Sequence, residues 1–372
     1  MSDIVVTGLG AVSPAGWGVE ALIDALRKGT ALPSTTIQGP KADHPLALRR
    51  VPAPETRPGF LAQPRLRRSS PISHFCVAAA AEALGGIPSA PSESADTLRL
   101  GLVFCTMTGS VVYSRRFYEE VLREPVTASP LLFPETVYNA PASHLAAVLG
   151  IRGRVHTEVG DAGCLLKALA TAALWLNLGV VDRCLVVASE EADWLVGEGL
   201  LLLSRTAVGA EGAAALVLAR AGEVRGLARL DTISDAFPYG DQRPPDRAIA
   251  EARDQLDPTR WFEGGRRPLL VDGIGGGGRL ERAERDAWRR WTGDRWSVKA
   301  VLGEAWTAGA GWQCAAAVAA VAHGDGGDGN ADEGSRASTE TTFDRAVVSV
   351  VGTQENAVAA VFTRCEELGG SE

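Results

Sequence analysis

A long apolar segment begins at Cys164 and continues to about residue 179, directly after the turn Gly160-Asp161-Ala162-Gly163. Its Ala- and Leu-rich composition predicts a helix, and a helix that is apolar on nearly every face must be buried on every side. A run with strand character, residues 155–159, precedes the turn. The sequence therefore predicts a strand, a sharp glycine turn and a buried helix that starts with a cysteine.

The same alternation of short β-branched runs with Ala- and Leu-rich stretches continues along most of the chain, which is typical of an α/β protein. The predicted strands are residues 4–8, 98–106, 155–159, 183–189, 213–219, 269–271, 347–351 and 358–363. The predicted helices are residues 19–28, 72–84, 142–149, 164–179, 246–255, 280–291 and 311–322.

The order of these elements begins again after about residue 222, which suggests an internal duplication. We therefore expect two related halves, residues 1–222 and residues 223–372. Residues 38–68, rich in Pro, Arg and Ala, are expected to form a surface excursion. The polar, low-complexity residues 323–345 are expected to form a mobile surface loop.

Composition is that of an ordinary globular protein, with 46% hydrophobic and 22% charged residues. Disordered, collagenous and coiled-coil chains are excluded on this ground. No apolar stretch predicts a membrane span, and no secretory signal is recognisable, so a cytoplasmic protein is expected. The formal net charge of −8 argues against nucleic acid as the main partner.

The six cysteines are widely spaced and lie mostly in apolar surroundings. With no CxxC pair or Cys/His cluster, neither a metal site nor another cofactor is expected, and most of these residues should be small buried hydrophobes. Cys164 differs, because the free N–H groups and the dipole of a helix start stabilise a thiolate. Local chemistry leaves two alternatives for Cys164, a nucleophile or a core residue.

Four segments resemble the β-ketoacyl synthases. Residues 4–14, Ile-Val-Val-Thr-Gly-Leu-Gly-Ala-Val-Ser-Pro, are similar to the start of the family, and residues 160–164 to its nucleophile segment. Residues 211–218 are similar to its mid-chain strand. Residues 297–303 and 308–311 resemble its lysine-containing loop and the Gly/Ala helix that follows. The similarity runs in order over nearly the whole chain.

This resemblance implies a thiolase fold: two βαβαβαββ halves in five layers, α-β-α-β-α. It also implies a dimer that acts on acyl chains carried by acyl carrier protein, as in fatty-acid and polyketide biosynthesis. Cys164 would be the nucleophile, and Lys299 occupies a family position. No cofactor is implied.

The chain departs from the family at both catalytic histidines, which donate hydrogen bonds to the enolate formed when malonyl thioester loses carbon dioxide. Ile274 occupies the first position, in the turn after residues 269–271, and Glu304 the second. An ionised carboxylate cannot donate and would repel an enolate. The family's closing Gly-Phe-Gly-Gly turn is replaced by residues 352–356. Condensing activity is therefore expected to be lost.

The histidines present are expected to be structural. None of the five falls in a family catalytic position, and the sequence places His144 on an apolar helix and His156 in a buried strand. Lys299 could pair with Glu304 at the old active site, or remain solvated.

Several functions stay open at this point. The chain resembles a chain-length factor, the inactive half of a synthase heterodimer, although such partners usually lose the nucleophile that Cys164 retains. It could instead be an acyltransferase that uses Cys164, activated by the helix start and by Glu304 through water. A condensing enzyme with relocated donors is a third alternative. Residues 273–278 also satisfy the GxGxxG pattern of dinucleotide binding.

The roles of the arginine runs and of several tryptophans also stay open. The arginine runs 49–50 and 65–68 could dock an acidic carrier protein or form a solvated face. Trp288 and Trp291 have the spacing of a core stripe. Trp306 and Trp312 could belong to the core, to a remodelled acyl pocket or to a partner surface. The chain could form a homodimer or a heterodimer with an active ketosynthase.

Overall fold

The computed structural model describes residues 4–40, 45–87, 99–262, 267–275, 278–322, 343–353 and 356–365. The strands are β1 (Ile4–Ser13), β2 (Gly16–Trp17), β3 (Thr35–Ile37), β4 (Leu46–Arg49), β5 (Leu100–Thr106), β6 (Val155–Val159), β7 (Arg183–Glu190), β8 (Gly209–Ala210), β9 (Gly212–Arg220), β10 (Ala228–Ile233), β11 (Phe237–Pro238), β12 (Pro268–Asp272), β13 (Asp294–Ser297), β14 (Arg345–Val351) and β15 (Asn356–Thr363).

The α-helices described are α1 (Val19–Lys28), α2 (Pro71–Ala83), α3 (Val111–Arg123), α4 (Ala140–Leu149), α5 (Cys164–Asn177), α6 (Trp194–Leu203), α7 (Pro245–Asp254), α8 (Arg279–Ala287), α9 (Val298–Leu302) and α10 (Trp306–Ala322). Among the helices in these ranges, none is long and apolar enough to cross a membrane.

Ten strands form one continuous path in the order β13-β12-β14-β15-β10-β1-β9-β7-β5-β6. The five strands of each half follow the same spatial order and the same directions: β6-β5-β7-β9-β1 in the first half corresponds to β13-β12-β14-β15-β10 in the second. In both, the three outer strands are parallel and the next two pairings are antiparallel. The expected duplication is confirmed by this repeated topology.

The two halves meet where β1 pairs antiparallel with β10, through Ile4↔Leu230, Val5↔Arg229 and Val6↔Ala228. The expected boundary at residues 222/223 falls in the connection between β9 and β10. Because the strand path is continuous across this junction, the assignment of two separate domains stays a prediction.

Alternating side chains of the strands face different cores, as period-2 geometry requires. On β9, Ala214 and Leu216 join a central core with α5 and α10, whereas Ala213 and Val217 join an outer core with α2 and α4. On β14, Val348 joins the same central core, and alternate residues pack on α7 and the end of α8. The result is the five-layer α-β-α-β-α arrangement that the resemblance implied.

Some predicted elements differ from the observed ones. Helix α10 begins at Trp306 rather than at residue 311, and α8 ends at Ala287 rather than at residue 291. Helices α3 and α6 were not predicted. The expected surface excursion contains β4, whose Leu46 and Leu48 are buried. Residues 323–342 of the expected mobile loop lie outside the described residues.

Candidate functional site

Cys164 is the first residue of α5 and lies at the end of a tight turn that follows β6. The Gly160 N–H donates to the Thr106 carbonyl (3.1 Å), which anchors the turn to the end of β5. The Asp161 carbonyl then accepts from the Cys164 N–H (2.9 Å), and Asp161 Oδ1 accepts from the Gly163 N–H (3.2 Å). The predicted strand–turn–helix unit is therefore present, with Cys164 8% exposed.

Glycines allow other backbone to approach this turn closely. A Cβ on Gly160 would lie 3.3 Å from the Cβ of Cys164, and a Cβ on Gly352 would lie 1.9 Å from Asp161 Oδ2. Gly352 belongs to the segment that follows β14 and replaces the family's closing turn. This segment therefore packs directly against the turn that carries Cys164.

The Cys164 thiol has a second thiol as its neighbour. Cys105, on β5, interacts with Cys164 and is fully buried. Burial first, and the adjacent Cys164 thiol next, hold the pKa of Cys105 well above its ordinary value. Sequence reasoning missed this pair. The sequence did contain a signal, because β5 and β6 are both followed by polar turns. If the two strands pair in parallel, their ends lie at one edge of the sheet, and Cys105 and Cys164 are then neighbours.

A buried carboxylate, Glu190, connects the end of β5 to the start of α10. It accepts hydrogen bonds from the Met107 N–H (2.6 Å), the Thr108 N–H (3.0 Å) and the Thr307 hydroxyl (2.6 Å). Burial raises the pKa of Glu190, while the Thr307 and Thr108 hydrogen bonds oppose that rise. Thr307 Oγ1 also lies 3.4 Å from the Cys105 carbonyl. The start of α10 is thus held beside the two cysteines.

Lys299 and Glu304 form an ion pair, with 2.7 Å between Nζ and Oε2. Burial acts to lower the pKa of Lys299, but the charge and hydrogen bond of Glu304 outweigh it and leave that pKa raised. The other Glu304 oxygen, Oε1, accepts from the Trp306 N–H (2.8 Å). Both carboxylate oxygens of Glu304 therefore act as acceptors, and the hypothesis that Lys299 pairs with Glu304 is confirmed.

Ile274 lies in the same cluster. Its N–H donates to Asp272 Oδ1 (3.1 Å), and its carbonyl accepts from the Ala300 N–H (3.1 Å) on α9. A Cβ on Gly273 would lie 3.0 Å from Lys299 Cε, so glycine here lets the turn approach the lysine stem. The structure thus brings Ile274, Lys299 and Glu304 together and gives Gly273 a packing role, while residues 276 and 277 of the GxGxxG pattern lie outside the described residues.

Two further acids, which sequence reasoning missed, are buried behind this turn. Burial, followed by the charge of Asp272, raises the pKa of Glu284 to about 8. Glu284 Oε1 accepts from the Ser349 hydroxyl (2.6 Å). Asp272 pairs with Arg295 across 3.3 Å. Glu284 lies in a stretch of charged residues in the sequence, so only the packing identifies it as buried.

Trp306 combines an unusual backbone with an unpaired donor. Its φ is 40°, in the left-handed region that a bulky residue rarely adopts. Its indole is 4% exposed, and its Nε1–H has no hydrogen-bond partner among the described residues. Strain of this kind and an unsatisfied buried donor each cost about 1–3 kcal/mol. Strained, unsatisfied residues are often functional.

Two sequence expectations are corrected here. His156 is not buried: β6 is at the end of the strand path, and the imidazole, 46% exposed, pairs with Glu158 (3.0 Å). Arg49 is not available for docking a partner, because it is buried and donates to the Leu32 carbonyl (2.8 Å). Among the alternatives left open for Trp312, the structure supports the core, where its Nε1–H donates to the Val12 carbonyl (3.0 Å).

Other expectations agree with the structure. His144 pairs with Glu135 (2.8 Å) and is buried, as expected of a structural histidine. Trp288 is buried, stacks on Trp261 and donates to Ser349 Oγ (3.0 Å), so the core-stripe interpretation is confirmed for it.

The comparison with protein families identifies one family. The model of the β-ketoacyl synthase N-terminal domain matches residues 1–199, more than half of the 372 residues. No curated protein matches the chain significantly by sequence.

Solved structures share the fold over nearly the whole chain. An ishigamide ketosynthase/chain length factor is 19% identical and matches with a TM-score of 0.73, covering 98% of this chain and 100% of that one. A type II polyketide synthase complex of an acyl carrier protein with its hexaketide-bound ketosynthase gives 15% identity, the same coverage and a TM-score of 0.73. A β-ketoacyl synthase from Burkholderia phymatum STM815 is 18% identical and matches with a TM-score of 0.72, covering 98% of this chain and 100% of that one.

At these identities the structural likeness shows the fold, which is the thiolase-like fold of ketosynthases, while the family model supplies the evolutionary relationship. The chain therefore belongs to the β-ketoacyl synthase family.

Proposed function

We propose that this ketosynthase-like biosynthetic protein does not condense acyl chains alone and acts as a chain-length-factor-like partner of an active synthase. The proposal rests on the ion pair and the hydrogen bond of Glu304. At the position that matches the family's second histidine, its carboxylate accepts from Lys299 and from the Trp306 N–H.

The chemistry of decarboxylation explains why this matters. An enolate oxygen needs hydrogen-bond donors aimed at it, and Ile274 has an apolar side chain while Glu304 offers acceptors. Loss of one such donor typically costs about 10²–10³ in rate. Loss of two is expected to cost about 10⁴ or more, since effects within one site are not additive.

The exposed apolar surface supports a role in an assembly. Side chains on α3 and the segment after it are largely exposed, among them Leu122 (80%), Val126 (91%) and Leu131 (68%). Exposed apolar side chains concentrated in one stretch of the chain are a feature of protein interfaces. Two of the similar structures are described as a ketosynthase/chain length factor and as a ketosynthase with its acyl carrier protein. We propose corresponding partners for this chain.

An acidic carrier protein would dock on the arginines of the second basic run, residues 65–68. Arg65, Arg67 and Arg68 are exposed. In the first run Arg49 is buried and Arg50 pairs with Glu211 (3.2 Å). Complementary charge of this kind chiefly raises the association rate and fixes orientation.

Incubation with malonyl-acyl carrier protein, followed by mass spectrometry of the carrier, tests the loss of condensation. We expect loss of carbon dioxide at a rate about 10⁴-fold below that of a Cys-His-His synthase assayed beside it. The same mixture with an active ketosynthase added should form condensation product. Decarboxylation by this chain alone at the synthase's rate would contradict the proposal.

A second candidate function is acyl transfer that uses Cys164, without decarboxylation. It is favoured by the retained thiol at the first position of a 14-residue helix, since a cysteine side chain held at such a turn can accept an acyl group. Intact-protein mass spectrometry with acyl-carrier-protein thioesters of several lengths tests it, beside Cys164→Ala. A mass gain that vanishes in the variant supports acyl transfer, and no adduct at any length contradicts it.

A further inference from the structure

We propose that Trp306 fills an apolar pocket beside Cys164 and so restricts this thiol to short acyl groups. The proposal deepens the second candidate function, because it rests on Cys164 carrying an acyl group.

The pocket is formed by side chains from two helices that flank the start of α10. Val111, Val196 and Leu200 make a small buried cluster with the indole of Trp306, and Met107, Val112 and Ala207 pack against it. These seven side chains form a continuous apolar cluster. The wall therefore suits the hydrocarbon part of an acyl group rather than a polar or charged ligand.

The pocket adjoins the nucleophile through consecutive residues. Met107, in the pocket wall, is two residues after Cys105, which is the neighbour of the Cys164 thiol. On the other side, Thr307 follows Trp306 directly and its Oγ1 lies 3.4 Å from the Cys105 carbonyl. A chain attached to Cys164 Sγ and directed past Cys105 would meet the Trp306 indole.

The state of Trp306 distinguishes it from an ordinary core tryptophan. On the same helix, the Trp312 Nε1–H donates to the Val12 carbonyl (3.0 Å) and to the Ala213 carbonyl (3.1 Å). Trp306 has left-handed backbone and an indole N–H with no partner in the described part of the chain. Its position therefore serves to place a large apolar group in this pocket at the expense of local stability.

Alkyl methanethiosulfonates of graded length test this without requiring acyl transfer. The Cys164 thiolate attacks the sulfenyl sulfur, a disulfide bond forms, and methanesulfinate leaves with the electron pair of the broken sulfur–sulfur bond. The thiol proton goes to solvent. Rates are measured on the full chain by intact-protein mass spectrometry with methyl and octyl reagents, and the background from other thiols is taken from Cys164→Ala.

The wild-type protein should react with the methyl reagent and much more slowly with the octyl reagent. In Trp306→Ala the ratio of octyl to methyl rates should rise about tenfold or more, because methylene groups can then leave water in the opened pocket. Trp306→Phe, which removes less volume, should give an intermediate ratio and covers the case in which Trp306→Ala does not fold. Trp312→Phe loosens the same helix away from the pocket and should keep the wild-type ratio.

Equal octyl and methyl rates in the wild type would overturn the proposal. So would an unchanged ratio in folded Trp306 variants, or no octyl reaction at Cys164 in any of them. Absence of acyl-carrier-protein adducts together with the expected octyl selectivity would contradict acyl transfer and leave the pocket assignment intact.

Discussion

At the scale of single residues, Glu284 shows how burial turns an ordinary acid into a pH-sensitive group. It is 2% exposed and accepts from the Ser349 hydroxyl, with Asp272 close enough for their charges to repel. These surroundings raise its pKa from 4.5 to about 8. Between those two pH values the folded chain holds a proton that the unfolded chain has lost.

Stability should therefore fall as pH rises through this window, since the folded state binds more protons than the unfolded state there. Glu284→Gln keeps an acceptor for Ser349 without the charge. We expect it to flatten the pH dependence of the unfolding free energy between about pH 5 and pH 8, by at most about 1.4 kcal/mol per pH unit. Urea unfolding at several pH values measures this slope.

The flattening should be partial, because burial also raises the pKa of Glu191, to about 7, and its contribution has the same sign. Exposed Glu20 on α1 provides the matched control. If Glu20→Gln changed the slope as much as Glu284→Gln does, the assignment to the buried acid would be wrong.

At the scale of secondary-structure elements, β1 and α2 pack very close together. A Cβ on Gly8 would lie 1.9 Å from the Ala83 carbonyl oxygen, and a Cβ on Gly10 would lie 1.9 Å from the Ala79 carbonyl oxygen. These distances leave no room for a side chain. The glycines of the family-like N-terminal sequence are therefore needed for strand–helix packing.

Gly10→Ala should destabilise the protein by about 1–3 kcal/mol or more, because backbone must move to accept the methyl group. Gly199→Ala is the matched comparison, since a Cβ there would meet nothing within 4 Å inside helix α6. That change should stabilise by up to about 1 kcal/mol through helix propensity. Denaturant midpoints of the two variants measure both effects, and equal midpoints would contradict the packing argument.

At the scale of the whole molecule, the strand path ends at β6, which pairs with β5 on one side. Its Val155 and Val159 are 45% and 51% exposed. A terminal strand with apolar side chains is a template for pairing with another chain. We therefore expect this edge to be covered, by a second copy when no other partner is present.

Sedimentation velocity at micromolar concentration should show self-association of the wild-type protein. Val155→Lys/Val159→Lys should weaken it by about 10²-fold or more, since two buried apolar side chains are replaced by charges. Val224→Lys, in the turn between β9 and β10, adds a charge at a half-exposed valine elsewhere and should leave association unchanged. A wild-type monomer would contradict this expectation.

Local pattern was sufficient where the determinants lie close together in the sequence. The strand at residues 155–159, the glycine turn and the apolar helix from Cys164 were predicted because period, turn glycines and apolar composition act within a few residues. The pairing of Lys299 with Glu304, five positions apart, was one of the two alternatives that the sequence left open, and the structure shows it. The start of α10 was misplaced at residue 311, because Gly309 and Gly311 lower helix propensity and burial of the whole helix overrides that preference.

The tertiary structure alone decided which distant residues share the site. Cys105 meets Cys164 because β5 and β6 pair in parallel, and Thr307 meets Glu190 because α10 is buried against β7. Arg49 looked exposed in a basic run, yet its guanidinium is buried against backbone carbonyls. Such contacts depend on strand register and layer packing, which sum over the whole chain. The sequence by itself determined the family, the layers and the place of Cys164 at the start of a buried helix.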